Sequence, residues 1–293
     1  MLKSKSILLI CIFSFILSIA FPAYADNLDI ILNQKVTYDI PDISGPITNM
    51  PWINEKDFIE AKQKYNTPIL IVGFCAVLKN PLPGEEHNVS LAAKSVNGNV
   101  IRPSKIFSQN ERIGPYTKRR GYKDGSSFAG DKIVMTEGGG VCKIATSLYN
   151  LSVLANFEIV ERHYHAMPVN YVPYGQDATV AYGIKDFKFR NTTKGNVLIW
   201  SKLIENRLYM GFYGTERPPN VTWSHEVTDL VKPSIKYVKN ETLNKGEMIT
   251  KSAGLDGANV KTYVTIEYED GSIEMKKMNS SYYKPFPELI EMN

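Results

Sequence analysis

Residues 136–150 read TEGGGVCKIATSLYN. Three consecutive glycines, Gly138, Gly139 and Gly140, run into Val141 and Cys142. Val141, Ile144, Ala145, Leu148, Leu151 and Ala155 then recur at the spacing of one helical face. Cys142 lies off that stripe, in the first turn. There the positive end of the helix dipole and the unpaired N–H groups favour a thiolate. Glycine allows positive φ and lets another molecule come close to the backbone, here at Gly139 and Gly140. The spacing thus predicts a nucleophile beside N–H donors able to hold an oxyanion. The same residues also fit a plain glycine turn leading into a helix.

A nucleophile needs a base. Residues 159–172 read IVERHYHAMPVNYV, with His163 and His165 two apart, and Asp177 follows in GQDATV. In a strand both histidines share one face. Cys, then His, then an acid is the order of several cysteine acyl-transfer enzymes. The expected catalytic set is Cys142, His165, His163 and Asp177, with His165 favoured as base because it lies nearer Asp177. A zinc site is the rival, since Cys, His and Asp are all zinc ligands. The usual Cys-x-x-Cys or His-Glu-x-x-His spacing is absent, so neither a metal nor another cofactor is expected.

The chain opens with Lys3 and Lys5, an apolar run from Ile7 to Ala20, and Ala23-Tyr24-Ala25. This is the three-part pattern of an export signal, and the run is short for a membrane span of about 20 residues. Membrane contact is expected only through this segment, if it stays uncleaved. Cleavage after Ala25 removes two lysines and no acid, leaving 32 basic against 30 acidic residues and a formal charge of +2. So small a charge gives no case for nucleic acid as a partner. Cys75 and Cys142 would then be the remaining cysteines. An exported pair fits a disulfide, but Cys75 sits in the buried-strand pattern ILIVGFCAVL and reads as a small hydrophobe. The reading favours two free thiols.

The expected organisation is a signal at 1–25, a lead-in segment at 26–66, a mixed domain at 67–218 and a small β module at 219–293. EKDFIEAKQKY and HNVSLAAKSVNG read as helices. FSQNERIGPYTKRRGYKDGSSFAGDK reads as a long polar loop. NYVPYG, DATVAYG, DFKFRN, NVLIWS and NRLYMGFYG alternate like strands. Asp256-Gly257 and Asp270-Gly271 are turn signals in the tail. The fold class is α+β, a Cys-bearing helix packed on antiparallel strands, followed by an all-β module.

These residues carry a resemblance. Phe107-Ser108, Gly114-Pro115, Arg120-Gly121-Tyr122, the Gly-Gly-Gly-Val-Cys run, Leu148-Tyr149-Asn150, Glu161-Arg162-His163, His165, Gly175 and Asp177-Ala178-Thr179-Val180 together resemble the VanW domain family. The likeness spans about residues 88–217. It implies an exported or wall-associated protein acting on peptidoglycan stem peptides, with Cys142 as nucleophile of an L,D-transpeptidase. Under that reading Arg119, Arg120 and Arg162 are candidates to clamp a peptide carboxylate, and Tyr122, Tyr149 and Tyr171 to shape the groove. A binder of wall peptides or glycopeptides that turns nothing over is the alternative. Lys143 stands where the family commonly has Gln, Ala145-Thr146-Ser147 where Ser-Thr-Thr is common, and Tyr116 where Arg is common. The tail, with Gly246, Gly254, Gly257, Gly271 and Tyr282, resembles the glycine-marked G-five β module of cell-surface proteins. The oligomeric state is not legible in the sequence.

Overall fold

A computed structural model of the chain describes residues 37–81, 84–129 and 132–293. The expected export signal lies outside the described residues. Among them no helix is long and apolar enough to cross a membrane.

The chain runs through β1 (Gly45–Ile47), α1 (Lys56–Tyr65), β2 (Ile69–Val77), α2 (Glu85–Val96), β3 (Val100–Ile101), β4 (Ile106–Ser108) and α3 (Gln109–Ile113). A 3₁₀ turn at Lys118–Arg120 leads to β5 (Asp124–Ala129) and β6 (Lys132–Glu137). Then come α4 (Cys142–Leu154), β7 (Glu158–Glu161), β8 (Lys188–Arg190), β9 (Val197–Ile204) and β10 (Arg207–Gly214). The remainder is all β: β11 (Asn220–Val231), β12 (Ile235–Lys239), β13 (Met248–Ser252), β14 (Gly257–Glu267), β15 (Ile273–Lys277), β16 (Ser281–Tyr283) and β17 (Glu288–Met292). The class is therefore mixed, with few helices and many antiparallel strands, closed by an all-β module.

The central sheet has the order β1-β2-β10-β9-β3, antiparallel throughout. Strand β2 is apolar along nearly its whole length because both of its faces are covered. Phe74, Ala76 and Leu78 join the core that holds α4, whereas Cys75 and Val77 join a second core with Trp52, Phe58 and Trp200. Side chains alternate across a strand, so the two cysteines lie on opposite sides of this sheet. Both are free thiols. Burial pushes the Cys75 thiol up to about 12, the Arg207 charge opposing this only in part.

Helix α4 is more than amphipathic. Every residue from Ile144 to Val153 is buried, polar ones included. Its apolar stripe faces the core, and two of its polar residues hold one segment. The Thr146 hydroxyl donates to the Ala178 carbonyl (3.1 Å) and accepts from the Ala178 N–H (3.0 Å). Asn150 Nδ2 donates to the Gln176 carbonyl (2.8 Å). Thr146 and Asn150 are one turn apart, so a single helix face pins the segment that carries Asp177.

Two expectations are corrected here. The polar stretch after Phe107 is no loop: it holds α3, the 3₁₀ turn and the β5–β6 hairpin. Conversely, NYVPYG and DATVAYG form no strand beyond an isolated bridge of His163 with Thr179 and one of Ala181 with Lys185. Of the two Asp-Gly signals, Asp270-Gly271 makes the β14–β15 turn, with Gly271 at φ +81°, while Gly257 opens β14.

The glycine run is a close-packing device. Gly138 and Gly140 have φ of +73° and +100°. A Cβ on Gly139 would sit 2.1 Å from the Gly125 carbonyl oxygen. Gly139→Ala should therefore destabilise the chain by about 1–3 kcal/mol, the usual cost of overpacking against atoms that cannot yield. Urea or thermal melts check this, and an unchanged midpoint would contradict the packing.

Candidate active site

Cys142 opens α4 and remains partly exposed. Its Sγ lies 3.2 Å from the Thr179 hydroxyl and 3.7 Å from the Val180 carbonyl. It also hydrogen-bonds His165. The His165 Nδ1 lies 2.7 Å from Asp177 Oδ2, which leaves Nε2 for the sulfur. Asp177 Oδ2 also accepts from the His165 backbone N–H at 2.7 Å. The structure thus brings Cys142, His165 and Asp177 into one line.

The electrostatics follow from that line. Burial pushes the Cys142 thiol up, but the bond to His165 and its charge outweigh this, with help from Thr179, so the thiol lies below its ordinary 9.0. Burial lowers His165, and the bonds to Asp177 and Cys142 overcome it, raising the imidazole to about 9. Burial raises Asp177, yet His165 and Arg162 hold its carboxyl down at about 2. All three directions favour a thiolate–imidazolium pair backed by a carboxylate.

His163 does not join this line. Strand β7 ends at Glu161, so the shared face expected of the two histidines is lost. The His163 ring turns to Glu161 Oε1 at 2.9 Å, and Lys188 holds the other oxygen of that carboxylate at 2.8 Å. Among the described residues no cluster of three or more His, Cys, Asp or Glu is arranged to hold a metal ion.

Arg162 is corrected too. Its side chain and that of Asp177 are each 1% exposed. The guanidinium donates to the Asp177 and Gly175 carbonyls (2.8 and 3.3 Å), to Asp177 Oδ1 (3.1 Å) and to the Ser281 hydroxyl (2.9 Å). The carboxylate it clamps is the protein's own. It stacks over Tyr149, 5.0 Å from the ring centre, so Tyr149 is packing beneath it. Tyr122 is likewise buried, its hydroxyl on the Ile113 carbonyl. Neither ring lines a groove. Arg119 and Arg120 stand exposed on the 3₁₀ turn.

The molecule expected to approach Gly139 and Gly140 is the protein itself. Asn88 Nδ2 donates to the Gly139 carbonyl at 2.9 Å, and a Cβ on Gly140 would meet Glu85. The amides of Lys143 and Ile144 bond the Gly140 and Val141 carbonyls, each at 3.0 Å, so those two are not open donors. Lys143 is paired with Glu85 and sits 4.7 Å from the Tyr171 ring centre. Burial lowers its ammonium to about 8, and the adjacent carboxylate works the other way.

Sequence reasoning gave no role to Thr179, noted only within its motif, and missed Asn88, Glu85 and Tyr283. A Thr in DATV and an Asn inside a helix carry no spacing signal. Tyr283 was overlooked for its neighbour Tyr282. Tyr283 donates to Asp177 Oδ1 at 2.5 Å. A cavity of about 380 Å³ is lined by Arg162, His163, Tyr164, Ala166, Lys185, Tyr282 and Lys284; Cys142 and His165 are not among its lining residues.

Two outcomes follow. A thiol at 9.0 is almost wholly protonated at neutral pH, whereas Cys142 is lowered. Alkylation of Cys142 should persist below pH 9 and exceed that of Cys75. His165→Gln should move its midpoint up, and His163→Gln should not; iodoacetamide labelling with mass mapping reads both. For Asp177 the folded value is depressed below 3.8 to about 2. Its contribution is full above 3.8 and is lost as pH falls through about 2, amounting to about 2 kcal/mol at neutral pH. Asp177→Asn should remove that part of the acid limb of a stability–pH curve.

Comparison with known proteins adds two domain-level matches. Residues 84–213 match the family described as VanW like protein, and residues 224–292 match the G5 domain. Protein YoaR of Bacillus subtilis (strain 168) is 35% identical over 130 residues, 44% of this chain and 43% of that protein. The vancomycin B-type resistance protein VanW of Enterococcus faecalis (strain ATCC 700802 / V583) is 29% identical over 157 residues, 52% of this chain and 55% of that protein. The chain thus spans about half the length of the curated relatives it matches. Among solved structures, the G5 domain of IgA1 protease is 17% identical with a TM-score of 0.17, covering 27% of this chain and 96% of that one. HP0197-G5 is 12% identical with a TM-score of 0.15, covering 25% and 99%. The chain carries a VanW-like domain followed by a C-terminal G5 domain.

Proposed function

We propose that this chain is an exported cell-wall enzyme, a cysteine acyltransferase that joins peptidoglycan stem peptides in the manner of an L,D-transpeptidase. The observation that carries the reading is the Cys142–His165–Asp177 line, with Sγ on His165 and Nδ1 2.7 Å from the carboxylate. The VanW-like match, and a relative named for vancomycin B-type resistance, support work at the cell wall. The G5 match supports contact with extracellular glycans.

The Cys142 thiolate attacks the carbonyl carbon of the donor amide, and the carbonyl electron pair moves to oxygen. As that oxyanion collapses, the C–N bond breaks and the His165 imidazolium gives its proton to the leaving amine. A thioester to Cys142 remains. An acceptor amine then attacks it, His165 takes the amine's proton, the C–S bond breaks and the thiolate returns. Water in place of the amine gives a carboxylate. Asp177 keeps Nδ1 protonated and the ring aimed throughout. The Thr179 hydroxyl, 3.2 Å from the sulfur, steadies the thiolate. We assign a carboxylate of the peptide to the basic cavity, where Lys185 and Lys284 replace Arg162 in that task.

That basic cavity also favours a second reading, a binder of acidic wall peptides without turnover. One experiment separates the two. Purified protein is incubated with stem-peptide fragments and analysed by intact mass. The enzyme reading expects a thioester adduct on Cys142, released by an acceptor amine, and transfer lowered by at least about 10³-fold in Cys142→Ala. Binding that survives Cys142→Ala, with no adduct and no transfer in the parent chain, would leave only the binder.

A further inference from the structure

We infer that the C-terminal β module completes the reactive site, with Tyr283 as a positioning residue that fixes the Asp177 carboxylate against His165. The inference rests on the reading that Cys142, His165 and Asp177 act together.

Strand β16 pairs with β14 and alternates: Ser281 and Tyr283 are 3% and 1% exposed, and Tyr282 is 51% exposed. The inward pair reaches across to the other module. The Tyr283 hydroxyl donates to Asp177 Oδ1 at 2.5 Å and accepts from the Gly175 N–H at 2.9 Å. Ser281 accepts from Arg162 Nη1 at 2.9 Å. The approach is close: a Cβ on Gly175, at φ +82°, would sit 2.2 Å from the Thr262 hydroxyl of β14.

Each carboxylate oxygen thus has its own anchor. Oδ2 takes the two His165 donors, and Oδ1 takes Arg162 and Tyr283. The charged and titratable groups facing Asp177 are His165, Arg162, Tyr283 and the buried Tyr171, which also faces Cys142, with Tyr149 beneath Arg162 and Cys142 beyond His165. Without the Tyr283 hydroxyl, Oδ1 rests on Arg162 alone and the carboxylate is freer to turn from the imidazole. The bond that favours the imidazolium, and through it the thiolate, then weakens. A module that merely bound the wall would need no such bond. The ring packs against Tyr164 and Tyr174 at 5.9 and 5.4 Å between centres, and Phe would fill that space equally well.

The test uses the full chain and needs no substrate. Cys142 alkylation is followed against pH in Tyr283→Phe, with thermal melts alongside. The expected result is a midpoint moved up and alkylation at neutral pH about threefold slower, for a shift of about half a pH unit. His165→Gln should move it further in the same direction. Gly254→Ala, whose Cβ would press on Pro233, strains the module elsewhere. It should lower the melt and leave the midpoint alone. An unmoved midpoint in Tyr283→Phe, with His165→Gln shifted, would overturn the inference and leave the functional reading standing. An unmoved midpoint in His165→Gln would sink both. If Tyr283→Phe fails to fold, Ser281→Ala is read the same way: an upward shift supports the inference and an unmoved midpoint overturns it.

Discussion

The structure turns on one buried charge. The Asp177 carboxylate is almost wholly out of water, and an unpaired anion there would cost several kcal/mol. It is held by the His165 amide and ring, by Arg162 and by the Tyr283 hydroxyl. Removing any one of these leaves a strong acceptor short of a donor. That requirement ties together the 162–165 segment, the 175–178 segment and the C-terminal module. None of them satisfies the carboxylate alone.

The polar residues of α4 belong to the same arrangement. Thr146 and Asn150 look misplaced in a core helix until their partners are named. They hold the backbone on either side of Asp177. The helix therefore aims Cys142 at its start and aligns the acid from its middle. The geometry between sulfur and carboxylate is set by one rigid rod, which is a firmer reference than a loop.

Much of this was legible in the sequence. The stripe from Val141 to Ala155 reported the helix because burial follows the 3.6-residue period. The run at 69–77 reported β2 because both faces of that strand are covered. What failed, failed for stated reasons. The β5–β6 hairpin carries exposed residues such as Met135, so no alternation marks it. The stretch around Asp177 alternates without being a strand, because its backbone groups bond side chains of α4 and Arg162 instead of a neighbouring strand. The two-residue spacing of His163 and His165 implied one face only while a strand continued, and β7 ends before it. Of Cys142, His165 and Asp177 the sequence offered every member. It could not show Tyr283, more than a hundred residues away, because a tyrosine beside a tyrosine gives no pattern.

The cause of the thiol's acidity also differs from the one that sequence suggests. A cysteine at a helix start draws attention to the dipole and to open N–H groups. Here the amides of Lys143 and Ile144 are already bonded to the preceding turn. Lys143, one residue after the sulfur, would add a positive charge, but Glu85 answers it. What remains to oppose burial is His165, whose own charge Asp177 sustains, and Thr179. The directions favour charges of opposite sign alternating along a single chain of contacts: thiolate, imidazolium, carboxylate, guanidinium. Each member lowers the cost of the next. The last cation, Arg162, is anchored by Ser281 of the C-terminal module on one side and by the face of Tyr149 on the other. In this arrangement the charges that surround a sulfur at one helix end are anchored by a strand from the far end of the sequence.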